Sequence, residues 1–371
     1  MSDNINPTPR AVGSVGFLGL LQNRQWGRLF PVSLLRIPIF LVAALLAIFL
    51  SYKAVHNQLT ETGILTEDRV SLAAFLDGNV YRPFAYRFLT PVLFGFVQNQ
   101  LHLTAAGLPG PLKAKALDVC ALATAKPAIA CDTVVAYAAV AMGFCFLFLM
   151  GFYWFAHRLF GHPLIALTGM GFAYLCVNAT LRLGLSHSYD FAVMFMGVAM
   201  LLCMEYRRNL LLTAVLAVGF LTKETLILYA GAALFVNIGR IPLARNLLYF
   251  VVQIVLFVII HGAVRAHFSG NPGEGHEYYL PGQIFFFTEH ILLPILLPML
   301  FATLLVFYDF HNKPETIRRA SVMIAPWLVL YMIGGVPREL RVMLEIFPLV
   351  LMLMYDSCVR MVLGSRQISR G

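Results

Sequence analysis

Long apolar runs, separated by short charged or Gly/Pro-containing segments, recur along the whole sequence. A run of about 20 apolar residues is long enough to cross the hydrocarbon of a bilayer as a helix. The pattern predicts an all-α protein, a polytopic membrane helical bundle with about ten transmembrane segments. The predicted segments are 32–51, 133–156, 162–181, 189–206, 210–222, 225–238, 246–263, 290–309, 321–335 and 342–362.

Two of these segments, 210–222 and 225–238, are short and flank the polar triplet Thr222-Lys223-Glu224. One helix over both segments would put the triplet near the middle of the membrane, where ionisable side chains are costly. We therefore predict two short helices that meet near one membrane face, with the triplet at that face.

The segments divide the chain into three parts: a cytoplasmic N-terminal segment (1–31), a transmembrane domain (32–362) and a cytoplasmic tail (363–371). Within the transmembrane domain they leave two large external loops, at 52–132 and 264–289. The first loop is long enough to carry helices of its own, and we predict interfacial helices within it.

Residues 84–98 are an apolar stretch inside the first external loop, interrupted by Arg87 and Pro91. A helix of this length measures only about 22 Å, which is short for a span. We predict that it lies in the outer interface or dips into it. The alternative is that it crosses the membrane, in which case every later loop changes sides.

The composition agrees with a membrane protein. Hydrophobic residues make up 60% of the chain and charged residues only 12%, and the mean hydropathy is +0.78. Soluble domains carry about 25% charged residues, so soluble enzymes and secreted disulfide scaffolds are excluded. The net charge is +9, but no basic domain carries it, so nucleic acid is not an expected partner.

The distribution of charge predicts an orientation. With the N-terminus in the cytoplasm, the cytoplasmic segments hold 15 basic and five acidic residues, and the other 12 basic and 13 acidic residues lie outside or near the outer face. Cytoplasmic loops carry an excess of Lys and Arg in most membrane proteins. Both termini are therefore predicted to be cytoplasmic.

The six cysteines fall into two groups. Four lie inside apolar segments, where a thiol behaves as a small hydrophobic group. Cys120 and Cys131 lie in the first external loop, and we predict a disulfide between them if the outside is oxidising. The alternative is two unpaired thiols in an ordinary loop.

Ionisable residues gather at the predicted outer face, and such residues near membrane depth are functional candidates. Carboxylates together with Arg and Lys suit an anionic, lipid-linked substrate, because guanidinium groups match phosphate oxygens and a carboxylate accepts a proton from an attacking hydroxyl. The candidates are Glu67, Asp68, Asp77, Arg87, Arg182, His187, Lys223, Glu224, Arg338 and Arg341.

Structural roles compete with these functional ones. Asp68 can complement the dipole of a helix that begins near it. Lys223 and Glu224 are neighbours, so on a helix their side chains point about 100° apart and need not pair with each other. They can instead tie two short helices together. Arg338 and Arg341 share a helix face, which suits either an anion clamp or snorkelling to the interface.

Several enzyme motifs are missing from the sequence. No G-x-x-x-x-G-K-[ST], G-x-G-x-x-G, G-x-S-x-G or H-E-x-x-H is present, which argues against an ATP-driven pump. His276 could ligate a metal together with Glu274 and Glu277, but these neighbours do not provide three firm ligands. The spacing of residues therefore predicts no metal site.

Three segments carry a resemblance to a known family. Asp68 precedes YRPFAYRFLTP (81–91), and GFLTKETLIL (219–228) and PRELRVMLEIFPLVLML (337–353) follow. Together with the first span and the long external loop, they are similar to bacterial integral-membrane glycosyltransferases of the GT-C superfamily, in particular short members without a soluble C-terminal domain. The resemblance covers about residues 32–362.

The resemblance implies a reaction and a location. A sugar would move from a polyprenyl-phosphate donor to a glycan or lipid acceptor on the non-cytoplasmic face of the bacterial cytoplasmic (inner) membrane. Asp68 would be the catalytic base, with Glu67 beside it and Asp77 in reserve. The Glu67-Asp68 pair replaces the D-D or D-x-D of many members, which leaves any requirement for a divalent metal (Mg or Mn) open.

The family resemblance also implies a donor-phosphate site. Arg87, Lys223, Arg338 and Arg341 would face the phosphate, and Glu224 would orient Lys223 or bind a sugar hydroxyl. Two other functions stay open: a polysaccharide polymerase or ligase that uses lipid-diphosphate donors, and a non-enzymatic glycolipid flippase, transporter or envelope-assembly subunit.

Overall fold

The structure is a computed structural model that describes residues 32–61, 80, 82, 84–87, 89–100, 110, 114, 120–121, 131–182, 187–273, 280–282, 293–335 and 340–363. Every regular element in these ranges is helical. The α-helices are α1 (Val32–Glu61), α2 (Leu89–Gln100), α3 (Cys131–Phe160), α4 (Pro163–Arg182), α5 (Asp190–Glu205), α6 (Asn209–Phe220), α7 (Leu228–Asn237), α8 (Leu243–His267), α9 (Leu293–Phe307), α10 (Glu315–Ala320), α11 (Ile324–Gly334) and α12 (Phe347–Leu363). Short 3-10 helices are Phe84–Tyr86, Glu224–Ile227, Phe310–Asn312, Ser321–Met323 and Leu340–Glu345.

Five helical segments in the described ranges are long and apolar enough to cross a membrane. They are Ile37–Thr60, Cys131–Phe160, Pro163–Arg182, Leu243–His267 and Glu315–Gly334. The prediction of an all-α protein with membrane-length apolar helices is confirmed for the described residues, which contain five such helices where ten transmembrane segments were predicted. Each of the ten predicted segments contains helical residues. The two short predicted segments are two separate apolar helices, Asn209–Phe220 and Glu224–Asn237.

The first helix is longer than the hydrophobic run that predicted it. The prediction ended the segment at residue 51 and began the external loop at 52, whereas α1 continues to Glu61. Ala54, Val55 and Leu59 are buried at helical spacing, so packing extends the helix beyond the purely apolar run.

The apolar stretch at 84–98 divides into a 3-10 turn and the helix α2. Pro91 lies in the first turn of α2, where a missing N–H breaks no intrahelical hydrogen bond. Phe94 is fully buried and its ring packs edge-on against Tyr137 of α3, with centroids 6.2 Å apart. The twelve residues of α2 make about 18 Å of helix. Arg87 lies just before this helix, in the segment that enters the site described below.

The helix α5 lies at the centre of the bundle and is buried along most of its length. Gly197 allows close packing at its middle, because an added Cβ would lie 2.7 Å from the Tyr229 hydroxyl and 2.9 Å from Cγ of Pro348. The helix is about 24 Å long. Its two ends define two regions, the Arg87 end, next to Tyr189, and the Glu205 end.

The chain separates into two compact units, Met1–Val42 and Ala43–Gly371. Only the beginning of α1 is described in the first unit, and every contact discussed below lies in the second. Cys120 and Cys131 form a disulfide, with Cα atoms 5.1 Å apart. It connects a residue of the long first loop to the first residue of α3.

Candidate functional site

Four connections between helices meet at the Arg87 end of the bundle: the segment before α2, the turn before α5, the α6–α7 connection and the α11–α12 connection. The backbone N–H of Leu89 donates to the carbonyl of Leu221, 3.1 Å away, and so ties the beginning of α2 to the end of α6. We call the ionisable and aromatic group assembled there the Arg87 cluster. Its members are Arg87, Tyr189, Lys223, Glu224 and Glu345.

The Arg87 guanidinium forms four contacts within and beside the cluster. Its Nη2 lies 3.1 Å from Oε1 of Glu224, and its Nη1 donates to the hydroxyl of Tyr189. The guanidinium carbon lies 4.9 Å from the centre of the Tyr189 ring and 5.3 Å from that of Phe84. The guanidinium is therefore held by a carboxylate, a hydroxyl and two aromatic faces.

Lys223 forms the second ion pair of the cluster, with Glu345. The other oxygen of Glu345 accepts a hydrogen bond from Nε1 of Trp327, 3.1 Å away, and its backbone carbonyl accepts one from the Tyr229 hydroxyl at 2.8 Å. Both Lys223 and Glu345 are buried. A buried pair needs such extra hydrogen bonds, because otherwise the cost of removing two charges from water exceeds their mutual attraction.

Tyr189 joins the two ion pairs. Nζ of Lys223 lies 5.9 Å from the centre of its ring, and the guanidinium of Arg87 lies closer, at 4.9 Å. Both cations therefore share one aromatic ring. The Lys223-Glu224 dipeptide divides its charges accordingly, since Lys223 pairs with Glu345 and Glu224 pairs with Arg87.

Hydrogen bonds also connect the turn that carries Tyr189 to the interior of the bundle. The ring of the neighbouring His187 packs edge-on against Phe84, with centroids 5.1 Å apart. The backbone carbonyl of His187 accepts a hydrogen bond from Gln58 at 3.1 Å. Gln58 in turn accepts one from the Tyr137 hydroxyl at 2.6 Å. The backbone N–H of His187 donates to the Asp190 carboxylate, 2.8 Å away, which fixes the turn before α5.

The electrostatics of the Arg87–Glu224 pair favour the ionised state of both groups. Burial alone raises the pKa of Glu224, but the Arg87 guanidinium outweighs it and lowers the pKa of that carboxyl to about 2. Burial alone lowers the pKa of Arg87, and the carboxylate of Glu224 together with Tyr189 raises it above its ordinary value. The pair is therefore charged across the physiological pH range.

Several buried polar atoms around the Arg87 cluster have no hydrogen-bond partner among the described residues. They are Nε of Arg87, Oε2 of Glu224 and the hydroxyls of Thr90, Ser188, Thr222 and Thr225. Buried polar groups are nearly always hydrogen-bonded, so each exception needs an explanation. A polar ligand at the Arg87 end is one physical explanation.

The structure brings together four of the residues that the sequence singled out: Arg87, His187, Lys223 and Glu224. Arg182 ends α4 and is exposed. Glu67, Asp68, Asp77 and Arg338 lie outside the described residues, as do Glu274, His276 and Glu277. Arg341 belongs to the 3-10 helix Leu340–Glu345, but its side chain is outside the description as well.

Sequence reasoning left Tyr189 and Glu345 off the list of site residues. Glu345 had a usable signal, because it is a single carboxylate within the apolar run VMLEIFPLV, and a lone acid in such a run needs a buried cation. Tyr189 had none, since one tyrosine among 15 is not distinguishable from an interface aromatic by its spacing.

A second buried charge cluster lies toward the Glu205 end, where α12 passes Lys313. Nζ of Lys313 donates to the Ser357 hydroxyl at 2.6 Å and lies 3.5 Å from Asp356, whose carboxylate also accepts from Nε of Arg360 at 2.7 Å. Arg360 reaches Asp309 at 3.6 Å. Burial lowers the pKa of Lys313, and Asp356 opposes that shift. The two positive charges of this cluster, on Lys313 and Arg360, are balanced by the carboxylates of Asp356 and Asp309.

No group of three or more His, Cys, Asp or Glu side chains in the described part of the chain is arranged to hold a metal ion. The carboxylates that the family resemblance implies for catalysis, Glu67 and Asp68, lie outside the described part of the chain.

Comparisons with protein-family models, with curated protein sequences and with solved structures found no match to this chain.

Proposed function

We propose that this protein is a membrane glycosyltransferase that moves a sugar from a polyprenyl-phosphate-linked donor to a glycan or lipid acceptor. The observation that carries the proposal is the arrangement of Arg87 and Lys223 around the Tyr189 ring. Buried hydroxyl and carboxylate oxygens without described partners surround them. Such a site offers cations for a phosphate and polar atoms for a sugar.

Arg87 and Lys223 hold the donor phosphate in this proposal. Each cation is paired with a carboxylate, so the charges of the site are balanced before the donor binds and the cations are fixed in place. As the sugar–oxygen bond breaks, negative charge grows on the departing phosphate. Fixed cations stabilise that transition state more than the ground state, which is the requirement for catalysis.

Asp68 is the proposed general base, with Glu67 and Asp77 as the other candidates. A positioned carboxylate that accepts the proton of the acceptor hydroxyl accelerates transfer by roughly 10²–10⁴-fold. Arg338 and Arg341 are the proposed additional phosphate ligands. These roles rest on the resemblance of the sequence motifs to GT-C glycosyltransferases.

The proposed orientation puts the Arg87 end on the non-cytoplasmic side of a bacterial cytoplasmic membrane, with both termini in the cytoplasm. The charge distribution supports it, because Arg158, Arg207, Arg208 and Arg240 all lie toward the Glu205 end. Lys and Arg favour the cytoplasmic side. In the same orientation, the Cys120–Cys131 disulfide lies near the oxidising compartment.

A glycolipid flippase or transporter is the second candidate function. The observation that favours it is the buried Lys313–Asp356–Arg360 cluster, which places ionisable groups toward the other end of the bundle as well. Polar groups along the membrane mark the pathways of transporters. A glycosyltransferase has no need of this second cluster for its chemistry.

The direct test uses the purified full-length chain in nanodiscs with a radiolabelled polyprenyl-phosphate hexose and a candidate acceptor. We expect release of polyprenyl phosphate, measured with Mg²⁺, with Mn²⁺ and with chelator. Asp68→Asn and Arg87→Gln should abolish it, while Arg87→Lys should leave partial activity because the charge stays and the planar fork is lost.

Arg240→Gln is the matched control. Arg240 is as buried as Arg87, with side chains 9% and 11% exposed, and it also bonds a glutamate, but it lies toward the Glu205 end. Its loss should leave transfer intact. Translocation of the labelled lipid between leaflets without release of polyprenyl phosphate would reject the transferase and support the flippase.

A further inference from the structure

An aromatic and basic group lies on the bundle surface at the Glu205 end, away from the Arg87 cluster. Nε1 of Trp154 on α3 donates to the Tyr206 hydroxyl, 2.9 Å away. One helical turn later, the Arg158 guanidinium lies 5.5 Å from the centre of the Tyr206 ring. Trp154 and Tyr206 are 50% and 42% exposed. Amphipathic aromatic rings of this kind belong at the level of lipid headgroups.

Two more arginines follow Tyr206 directly. Arg207 and Arg208 are exposed, and neither side chain forms an ion pair or hydrogen bond with any described residue. Arg158 is partly neutralised by Glu205, 3.5 Å away. This part of the surface therefore holds three arginines and one glutamate, an excess of two positive charges.

The backbone presents Arg207 in an unusual conformation. Its φ of +56° lies in the left-handed region, which glycine adopts more easily than any other residue. The N–H of Arg207 donates to the carbonyl of Met204 and that of Arg208 to Cys203, the bonding pattern of a Schellman helix end. Glycine is the usual residue at this position, so replacing Arg207 by glycine removes a charge without straining the fold.

Apolar surface continues the basic group along α6. Leu210 and Leu211 follow Arg208 and are 75% and 56% exposed. In a bilayer, exposed leucines contact acyl chains, while the arginines just before them reach the phosphate layer. A phospholipid with an anionic headgroup matches this surface, because its headgroup can contact the arginines while its acyl chain contacts the leucines. A free phosphate would contact only the arginines.

We infer that Trp154, Arg158, Tyr206, Arg207, Arg208 and Leu210 form a binding site for a phospholipid with an anionic headgroup. The headgroup phosphate lies between the three guanidinium groups. The first part of its acyl chain lies along Leu210 and Trp154. The site is separate from the proposed transferase centre, because the length of α5 lies between them.

The test measures quenching of Trp154 fluorescence by brominated phosphatidylglycerol and by brominated phosphatidylcholine in reconstituted protein, with Trp154→Phe identifying the contribution of that residue. We expect quenching at a lower mole fraction of the anionic lipid. Arg207→Gly and Arg208→Gln should each reduce the preference for the anionic lipid about fivefold, and Arg207→Gly should not lower the melting temperature.

Arg245→Gln is the control, since Arg245 is exposed at the beginning of α8 and its loss changes the net charge equally. It should leave the preference for phosphatidylglycerol unchanged. Equal quenching by the two lipids overturns the inference. So does an equal loss of preference in Arg245→Gln and Arg207→Gly, because that result assigns the effect to overall charge.

Discussion

The guanidinium carbon of Arg87 and the ring centre of Tyr189 are 4.9 Å apart, and the same arginine donates a hydrogen bond to the hydroxyl of that tyrosine. Arg87 comes from the segment before α2 and Tyr189 from the turn before α5. A single side chain therefore holds Arg87 in two ways, through its π face and through its hydroxyl. The two contributions are separable by substitution.

Tyr189→Phe keeps the ring and removes the hydroxyl that accepts from Arg87. Because hydrogen bonds to charged groups contribute about 1.5–3 kcal/mol, we expect a loss of that size in the free energy of unfolding, measured by SDS titration in mixed micelles. Tyr189→Leu should cost more, since the cation–π contacts disappear too. Equal effects of the two substitutions would show that the Tyr189 ring contributes nothing beyond its hydroxyl.

Glu345→Gln leaves the buried ammonium of Lys223 without its counter-charge. Removing one partner of a buried ion pair costs about 3–5 kcal/mol, and we expect a loss of this size in the same unfolding assay. Combining it with Lys223→Met should recover much of the loss, because no isolated charge remains.

A surface pair provides the control for this experiment. Arg319 and Glu315 form an i, i+4 ion pair at 2.6 Å, and their side chains are 33% and 43% exposed. Exposed pairs contribute about 0–1 kcal/mol, so Arg319→Gln should lower the free energy of unfolding by no more than about 1 kcal/mol. If Glu345→Gln is as mild as Arg319→Gln, the Lys223–Glu345 pair does not behave as a buried ion pair.

The pH dependence of unfolding should reveal the Arg87–Glu224 pair. The pKa of Glu224 falls from its ordinary value of 4.5 to about 2 in the folded protein. A lowered pKa means that the carboxylate contributes stability that is fully present above pH 4.5 and is lost as the pH falls toward 2.

The measurement compares unfolding midpoints of the wild type and Glu224→Gln at several pH values. The wild type should be more stable at pH 7, and the difference should shrink below pH 4.5. A difference that stays constant down to pH 3 would mean that Glu224 stabilises the fold through packing and not through its charge.

Gly197→Ala tests the close packing at the middle of α5. The added Cβ would lie 2.7 Å from the Tyr229 hydroxyl and 2.9 Å from Pro348, so the neighbouring helices must shift, at a cost of about 1–3 kcal/mol in the free energy of unfolding. Gly231 of α7 has no atom within 4 Å of the added Cβ. Gly231→Ala should therefore stabilise the protein by about 0.5–1 kcal/mol.

The hydrophobic pattern predicted the positions of most helices, because membrane-length apolar runs have few alternatives to a helix. It missed α10 (Glu315–Ala320), which lies between two predicted segments because its sequence carries three charged residues. It also predicted that Lys223 and Glu224 need not pair with each other, since this follows from helical geometry. It did not predict which residues they pair with. Glu345 lies far along the chain, and only the packing of α5, α7 and α12 brings its carboxylate to Lys223.

The helix boundaries show a similar division between local and distant causes. The predicted end of the first span at residue 51 followed the apolar run, whereas α1 continues to Glu61. Gln58 lies in this added part, and it bonds the turn before α5 and the hydroxyl of Tyr137. Partners distant in sequence therefore decide how far α1 extends.

The order of residues in the Lys223–Glu345 pair has a consequence for biosynthesis. Lys223 leaves the ribosome 122 residues before Glu345, which is an interval of about 6–24 s at ordinary elongation rates. During that interval Lys223 lacks Glu345, its ion-pair partner in the folded protein. The incomplete chain must therefore keep the Lys223 ammonium near water or beside the insertion machinery. The packing of α7 and α12 is completed only after the last third of the polypeptide has been synthesised.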